Sequence, residues 1–253
     1  MLLTPSNDNT LVSIIMPCFN SASFIQESIR SVLSQTYHNF ELIVIDDASK
    51  DNSLDIIKSF SDERIKIIEL KTNQGAGLSR NKGIEAAQGR FIAFLDSDDL
   101  WHKDKLSLQI SFMKDNGHHL TYTDYQCFDK AGMKNIKKPP KSTNYNDLLY
   151  CNVIGCLTAI YDAQLVGKQY MPLIRKRQDM GLWLKIMKNY GPAYCLPNVL
   201  AYYRLDSGMT QNKANAALYQ WVFYRKELKF NILKSTKYFI GYAYNGLIKN
   251  KVF

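Results

Sequence analysis

Apolar and polar residues alternate in blocks along the first hundred residues, and the period changes from block to block. Four short apolar runs have the length of buried β-strands, and they cover residues 11–16, 40–45, 64–70 and 91–95. Helical spacing separates them, with helices expected at 22–35, after Ser53, and at 78–87. Strands that alternate with helices predict an α/β fold, with a parallel sheet covered by helices on both faces.

The pattern is looser after Leu100. We expect further elements in this order: a helix at 103–113, a strand at 120–128, a Lys- and Pro-rich connector at 134–143, a strand at 155–161 and a helix at 177–189. The last helix is the clearest, because Met180, Trp183, Leu184 and Met187 recur at helical spacing. Residues 213–250 are predicted to form one or two helices.

Polar residues follow three of the predicted strands, at 18–20, 46–49 and 96–99. Ligands of open α/β sheets bind beyond the carboxyl ends of the strands, so these segments should meet in one crevice. Asp96, Asp98 and Asp99 repel one another unless a positive charge lies among them. A divalent cation that bridges a diphosphate meets this need, whereas a solvated acidic loop is the simpler alternative.

Two other motifs near the strand ends are less specific. Asp46 and Asp47 suit a binding site, but, taken alone, they are better explained by turn formation and helix capping. The glycines from Gly75 lack the third glycine of a dinucleotide fingerprint, so we read them as a tight helix entry. Arg80 and Lys82, in the helix that follows, are candidates for neutralising phosphate.

The chain has 253 residues and a formal charge of +9, and much of this charge lies near the C-terminus. Residues 211–253 hold eight basic side chains and one acidic side chain, interleaved with aromatic residues. This composition is typical of an amphipathic helix on an anionic membrane, but also of a packing helix with a solvated basic face. A nucleic-acid partner is not expected, because no recognised binding module accompanies the charge.

Targeting signals and cysteine pairs are not evident in the sequence. Five cysteines without a C-x-x-C spacing indicate reduced thiols and a cytoplasmic protein. The first residues do not resemble a signal peptide, and apolar stretches are too short to span a membrane.

Three segments together resemble glycosyltransferase family 2: V-S-I-I-M-P-C-F-N from Val12, I-V-I-D-D-A-S-K-D-N-S from Ile43, and G-R-F-I-A-F-L-D-S-D-D-L-W from Gly89. The resemblance covers about residues 11–210. It implies a GT-A fold, a Rossmann-like mixed sheet flanked by helices, and inverting sugar transfer from a nucleotide sugar. Similar enzymes build bacterial surface polysaccharides such as teichuronic acid, O-antigen and capsule.

The resemblance also assigns the donor site. Pro17, Phe19 and Asn20 are expected to hold the nucleoside, with Asp47 accepting a hydrogen bond from uracil. The family's D-x-D motif falls on Asp96-Ser97-Asp98. Asp98 is therefore expected to bind Mn²⁺ or Mg²⁺, and Asp96 to contact the ribose or the metal.

Two further roles follow from the resemblance. R-Q-D-M-G-L-W-L from Arg177 matches the family's acidic pair before Trp-Leu, so Asp179 is the expected general base, with Gln178 where Glu is usual. Helix capping is the alternative for Asp179. Arg204, in Y-Y-R-L-D-S-G-M-T, is expected to clamp the leaving diphosphate unless it is an ordinary surface arginine.

The resemblance thus implies a metal-dependent transferase that uses a UDP-sugar and a polyprenyl-diphosphate-linked glycan acceptor. We expect a flexible N-terminus at 1–10, the catalytic domain at 11–210 and a helical, membrane-proximal extension at 211–253. The extension would dock on the inner face of the cytoplasmic membrane. Two rivals are a sugar nucleotidyltransferase, which needs a glycine- and basic-rich loop after the first strand, and a non-catalytic membrane-docking protein.

Overall fold

The computed structural model describes residues 10–206 and 213–247, without the side chains of residues 213–215 and 247. Its strands are β1 Val12–Cys18, β2 Phe40–Asp46, β3 Ile65–Glu69, β4 Phe91–Phe94, β5 Leu100–Trp101, β6 Leu120–Asp129, β7 Gly132–Lys137, β8 Ser142–Thr143, β9 Ile160–Asp162 and β10 Ala193–Arg204. Its α-helices are α1 Ile25–Leu33, α2 Ser53–Lys58, α3 Ala76–Ala86, α4 Lys105–Asn116, α5 Tyr145–Tyr150, α6 Ala163–Val166, α7 Gln178–Tyr190, α8 Lys213–Val222 and α9 Ile232–Leu247.

All ten described strands belong to one mixed sheet, in the order β3-β2-β1-β4-β9-β6-β10-β5. β7 pairs with β6 and β8 with β10, outside this path. The first four strands are parallel, whereas β9 pairs antiparallel with both β4 and β6. The carboxyl ends of β1, β2 and β4 therefore lie at the same edge, as the alternating sequence pattern requires.

The sheet is buried on both faces, which explains the continuous apolar runs in its parallel strands. Ile15 of β1 belongs to a core that includes residues of α3, α5 and α7. Its neighbours Ile14 and Met16 belong to a second core with residues of α1, α2 and α4. Successive strand side chains point to opposite faces, so one apolar strand supplies both cores.

Most predicted elements are present, with ends that differ by a few residues. One difference affects the site, because β1 continues through Pro17 to Cys18. Pro17 pairs with Ile45 of β2, but it lies beyond Ile15, the last residue of β1 that pairs with β4. Its missing N–H therefore does not interrupt the pairing between β1 and β4.

Two predictions for the second half of the chain were wrong, and one strand was missed. The connector expected at 134–143 contains β7 and β8; β7 is largely exposed and pairs through its backbone, so its sequence lacks a hydrophobic pattern. The strand expected at 155–161 is a 3₁₀ turn, Cys156–Thr158, followed by β9. The sequence did not predict β10, whose pairing with β6 shifts register around Pro197.

The described part of the C-terminal extension forms two helices that pack on the catalytic domain. Phe223, Tyr224 and Tyr238 belong to the same core as α5 and α7. The hydroxyl of Tyr224 donates to the carbonyl of Leu149 at 2.5 Å. The expected domain boundary at residue 210 and the expected flexible terminus at 1–10 fall largely outside the described residues.

Lys105 of α4 is fully buried beneath the sheet. Its ammonium donates to Gln109 Oε1 at 2.6 Å and to the carbonyl of Thr158 at 3.1 Å. Burial lowers the pKa of Lys105 to about 7. An unfolded lysine has a pKa of about 10.4, so between these values the unfolded state binds more protons and stability rises with pH.

We predict that Lys105→Met flattens this dependence. The free energy of unfolding of the natural chain should rise from pH 7 to pH 9 by up to about 1.4 kcal/mol per pH unit from this group. The slope should be smaller in Lys105→Met and unchanged in Lys103→Met, which alters an exposed lysine of the same segment. Denaturant unfolding across this pH range measures the slope. Parallel curves of unfolding free energy against pH for all three proteins would contradict the lowered pKa of Lys105.

Candidate active site

The three polar strand ends meet, as the sequence predicted. Beyond β1, the hydroxyls of Ser21 and Ser97 lie 2.7 Å apart, which joins this end to the carboxylate loop after β4. The Asp47 N–H donates to the Cys18 carbonyl at 2.8 Å, which joins it to the end of β2. The strand tips therefore form one crevice.

Residues after β1 shape the mouth of this crevice. Asn20 has φ 50, and it is tied to the loop after β2 because its N–H donates to Ser49 Oγ and its Oδ1 accepts from the Lys50 N–H. Phe19 is 45% exposed beside it. An exposed ring on a fixed loop can stack on a nucleobase, and Pro17 lies below, inside the strand.

The Asp47 carboxylate already has a structural role within the protein. Its two carboxylate oxygens accept from the N–H groups of Gln74 and Gly75, at 2.8 and 2.7 Å. These bonds fix the chain where it enters α3, at the positive φ of Gly75. The uracil contact predicted for Asp47 must therefore use a remaining lone pair of this carboxylate.

Asp46 was not singled out as a base-binding residue, although the structure gives it an unused acceptor. Its Oδ2 accepts from the Ser49 N–H at 3.2 Å. Its Oδ1 is buried and has no hydrogen-bond partner among the described residues. Adjacent aspartates look alike in a sequence, so only the hydrogen bonds distinguish them.

Arg80 of α3 connects the donor side of the crevice to α7. Its side chain is buried, and Nη2 lies 2.5 Å from Asp96 Oδ1. Nη1 donates to Gln178 Oε1 at 3.3 Å. Burial opposes the charged guanidinium, but the negative charges of Asp96 and its neighbours, including Asp179, raise the pKa of Arg80 above its ordinary value.

The other two carboxylates of the loop have different surroundings. Asp98 is partly exposed, whereas Asp99 is 1% exposed. Burial, together with the charges of Asp98 and Asp96, raises the pKa of Asp99 well above its ordinary value. Asp99 Oδ1 accepts from the Arg204 N–H at 2.9 Å, so this residue supports the loop from below.

The contacts of Arg204 do not support the predicted diphosphate clamp. Its Nε donates to the Asp98 carbonyl at 2.7 Å, and its Nη2 lies 2.8 Å from Glu27 Oε2. The guanidinium lies between the rings of Phe24 and Phe128, at 4.7 and 4.5 Å from their centroids. Arg204 is 7% exposed, so it holds the Asp98 loop in place. Ser207 and Thr210 of the same motif lie outside the described residues.

Asp179 lies in the first turn of α7, where the helix dipole favours a negative charge. No side chain caps this helix, so capping does not account for Asp179. Asn152, which sequence reasoning missed, donates from Nδ2 to Asp179 Oδ2 at 3.2 Å. Arg80, Asp96, Asp179 and the thiol of Cys156 interact electrostatically, so they lie near one another.

The donor set at the Asp98 loop fits a hard cation with few protein ligands. Among the described residues, no group of three or more His, Cys, Asp or Glu side chains has metal-binding geometry. Asp98 and Asp96 present carboxylate oxygens at the strand tip, and Asp96 is shared with Arg80. Mg²⁺ is commonly held by one or two carboxylates, with substrate phosphates and water as the remaining ligands.

Comparison with known proteins decides the family. The profile described as "Glycosyl transferase family 2" matches residues 13–158. The chain belongs to glycosyl transferase family 2. The matched segment begins at the second residue of β1 and contains β2 to β4, the carboxylate loop and Asn152, but it ends before Asp179.

Two relatives are similar in sequence to this glycosyltransferase over almost its whole length. The putative teichuronic acid biosynthesis glycosyltransferase TuaG of Bacillus subtilis is 39% identical over 249 residues, which are 96% of this chain and 99% of that protein. The UDP-Glc:alpha-D-GlcNAc-diphosphoundecaprenol beta-1,3-glucosyltransferase WfgD of Escherichia coli is 39% identical over 245 residues, 96% of each chain. The predicted resemblance is confirmed.

Solved structures share the fold of this glycosyltransferase. S. aureus TarS 1-349 in complex with UDP-GlcNAc has a TM-score of 0.72 at 20% identity, over 94% of this chain and 74% of that chain. The mannosyltransferase PcManGT from Pyrobaculum calidifontis, in complex with GDP-Man and Mn²⁺, has a TM-score of 0.65 at 17% identity, over 94% and 70%. The expected GT-A fold is confirmed.

We predict that Arg204→Lys destabilises the glycosyltransferase by about 2 kcal/mol, since lysine lacks the planar fork that reaches Asp98 and Glu27 between two rings. Chemical denaturation measures the loss. Arg175→Lys, at an exposed position, is the matched control and should unfold like the natural protein. Equal stability of all three proteins would show that the Arg204 contacts do not support the loop.

Proposed function

We propose that this glycosyltransferase moves a sugar from a UDP-sugar to a hydroxyl of a polyprenyl-diphosphate-linked glycan, with inversion at the anomeric carbon. The observation that carries the proposal is the position of Arg80. Its guanidinium contacts Asp96, on the donor side, and Gln178, which directly precedes Asp179. One buried guanidinium thus contacts a donor-side carboxylate and the residue next to the candidate base.

The donor and acceptor classes are argued from relatives. WfgD is named for glucosyl transfer from UDP-Glc to a GlcNAc-diphosphoundecaprenol, and TuaG for teichuronic acid biosynthesis. Both are similar to this chain over almost its whole length, so an acceptor of the same class is the simplest proposal. The product belongs to a bacterial surface polysaccharide such as O-antigen or capsule.

Donor binding is assigned to the strand tips. Phe19 stacks on the base, and the buried acceptors of Asp46 and Asp47 are close to the same end of β2. Asp98, with Asp96, would hold Mn²⁺ or Mg²⁺. When bound, the cation supplies positive charge that stabilises the departing diphosphate. The ion pair with Arg80 orients the Asp96 carboxylate.

The transfer step needs a general base and space for the acceptor hydroxyl to reach the anomeric carbon. Asp179 takes the proton of the acceptor hydroxyl, whose oxygen forms a bond to the anomeric carbon. The bond from that carbon to the diphosphate oxygen breaks, and UDP leaves with the electron pair from the opposite face. An α-linked donor therefore gives a β-linked product.

The two rival functions are less well supported. A sugar nucleotidyltransferase needs a glycine- and basic-rich loop after β1, whereas this chain has Phe19, Asn20 and Ser21 there. A non-catalytic docking protein has no use for an arginine buried between a strand-tip carboxylate and α7. Family membership also favours transfer.

Two single substitutions distinguish metal-dependent donor binding from proton abstraction. We predict that Asp98→Asn abolishes the Mn²⁺-dependent part of UDP binding, since a ligand charge is lost. Asp179→Asn should retain this binding and lose at least about 100-fold in turnover, a typical contribution of a general base. Calorimetric UDP titration with and without Mn²⁺, and UDP release from a panel of UDP-sugars, are the measurements. Full turnover by Asp179→Asn would refute its role as base.

We also propose that the transferase works as a peripheral protein on the inner face of the cytoplasmic membrane. No helix of the described residues is long and apolar enough to cross a membrane. Tyr238 and Tyr242 of α9 face the catalytic domain, whereas Leu233, Ile240 and Tyr244 on the same helix are 83, 63 and 49% exposed. These three share a helical stripe with Lys237, which suits an anionic lipid surface.

We predict that Leu233→Glu with Ile240→Glu lowers binding to vesicles containing phosphatidylglycerol by at least tenfold, because it places two acidic side chains on this stripe. Donor hydrolysis in solution should stay unchanged. Met133→Glu, which alters an exposed apolar residue of β7, is the control and should bind normally. Vesicle flotation measures binding, and unaltered flotation of the double variant would exclude this face as the docking surface.

A further inference from the structure

Asn152 is a buried polar residue that contacts the proposed base and that no motif in the sequence indicated. It lies two residues beyond Tyr150, the last residue of α5, and it is 7% exposed. Its Nδ2 donates to Asp179 Oδ2 at 3.2 Å. Two segments distant in sequence thus meet at one carboxylate oxygen.

The orientation of the Asn152 amide follows from its second contact. Oδ1 accepts from the N–H of Ile154 at 3.3 Å, and a backbone N–H can face only the carbonyl side of an amide. Nδ2 must therefore point to Asp179. Asp179 Oδ2 therefore accepts a hydrogen bond from an amide N–H, whereas Oδ1 remains available to accept a proton.

The elements that carry this pair are fixed by the C-terminal helices. On the Asn152 side, the Tyr150 and Tyr238 rings lie 4.8 Å apart, and Tyr224 binds the Leu149 carbonyl. On the Asp179 side, Arg177 donates to the Tyr242 hydroxyl at 2.8 Å, in the left-handed conformation that precedes α7. The distance between donor and carboxylate is therefore set by packing on both sides.

We propose that Asn152 is a positioning residue for sugar transfer: it holds Oδ2 of Asp179 so that Oδ1 receives the proton of the attacking hydroxyl. This inference rests on the proposed function, because it assumes that Asp179 is the base. Asn152 itself does not exchange a proton. Its effect is to keep the Asp179 carboxylate in one rotamer before the acceptor arrives.

Other titratable groups near Asp179 come from three elements. Arg80 belongs to α3, Asp96 to the loop after β4, and Cys156 to the 3₁₀ turn before β9. Burial raises the pKa of the Cys156 thiol well above its ordinary value. A second carboxylate at position 152 would add a negative charge directly beside Asp179, which this set of groups does not offset.

The test is the pH profile of donor hydrolysis, in which water replaces the acceptor. UDP release is measured with the most active donor of a UDP-sugar panel, for the natural protein, Asn152→Asp and Asn152→Ala. We expect Asn152→Asp to move the acidic limb of kcat/KM to higher pH by at least about one unit, because two adjacent carboxylates resist joint ionisation. Asn152→Ala should lower kcat about tenfold and leave the KM for donor unchanged.

The control is Asn189→Asp, which adds the same charge to an exposed position at the far end of α7 and should leave the profile unchanged. A profile of Asn152→Asp that coincides with that of the natural protein would overturn the proposal. If Asn152→Asp does not fold, as judged by its melting curve, Asn152→Ala decides: unchanged kcat rejects the role. The activity of Asp179→Asn distinguishes failure of this inference from failure of the proposed function. If that variant stays active, Asp179 is not the base.

Discussion

The site depends on a constraint that a parallel sheet imposes: neighbouring strands end at one edge, so their polar termini must share a small space. Repulsion among Asp96, Asp98 and Asp99 is the cost of this arrangement. The protein relieves it in three ways. Arg80 forms an ion pair with Asp96, burial raises the pKa of Asp99 well above its ordinary value, and Asp98 stays partly exposed. Each carboxylate thereby acquires a separate role within four residues.

Two arginines support this loop from opposite sides, and their roles differ. Arg80 links the loop to α7 through Gln178, so it relates the donor carboxylate to the proposed base. Arg204 links the loop to α1 through Glu27, between two aromatic rings. Glutamine at position 178 suits the first link, because its amide oxygen accepts from Arg80 while its amide nitrogen donates to the Ile174 carbonyl.

The sequence predicted the parallel half of the fold well, because strands that are buried on both faces have continuous apolar sequences. It failed where backbone pairing decides the structure, as in the exposed β7 and in β10 around Pro197. Motifs in the sequence indicated Asp96, Asp98 and Asp179, and the structure places Asp96 and Asp179 near the same arginine, Arg80. They could not reveal that Arg204 is enclosed, or that Asn152 meets Asp179, since both follow from packing between distant segments.

The central claim is that the carboxylates at the strand tips hold a cation, which in turn holds the diphosphate of the donor. Crystals soaked with MnCl₂ and UDP test it most directly, through the anomalous signal of manganese. The account predicts one manganese ion bound by the Asp98 carboxylate and by oxygens of both phosphates, with the uracil beside Phe19. Manganese and UDP bound elsewhere, with the Asp98 loop empty, would contradict it.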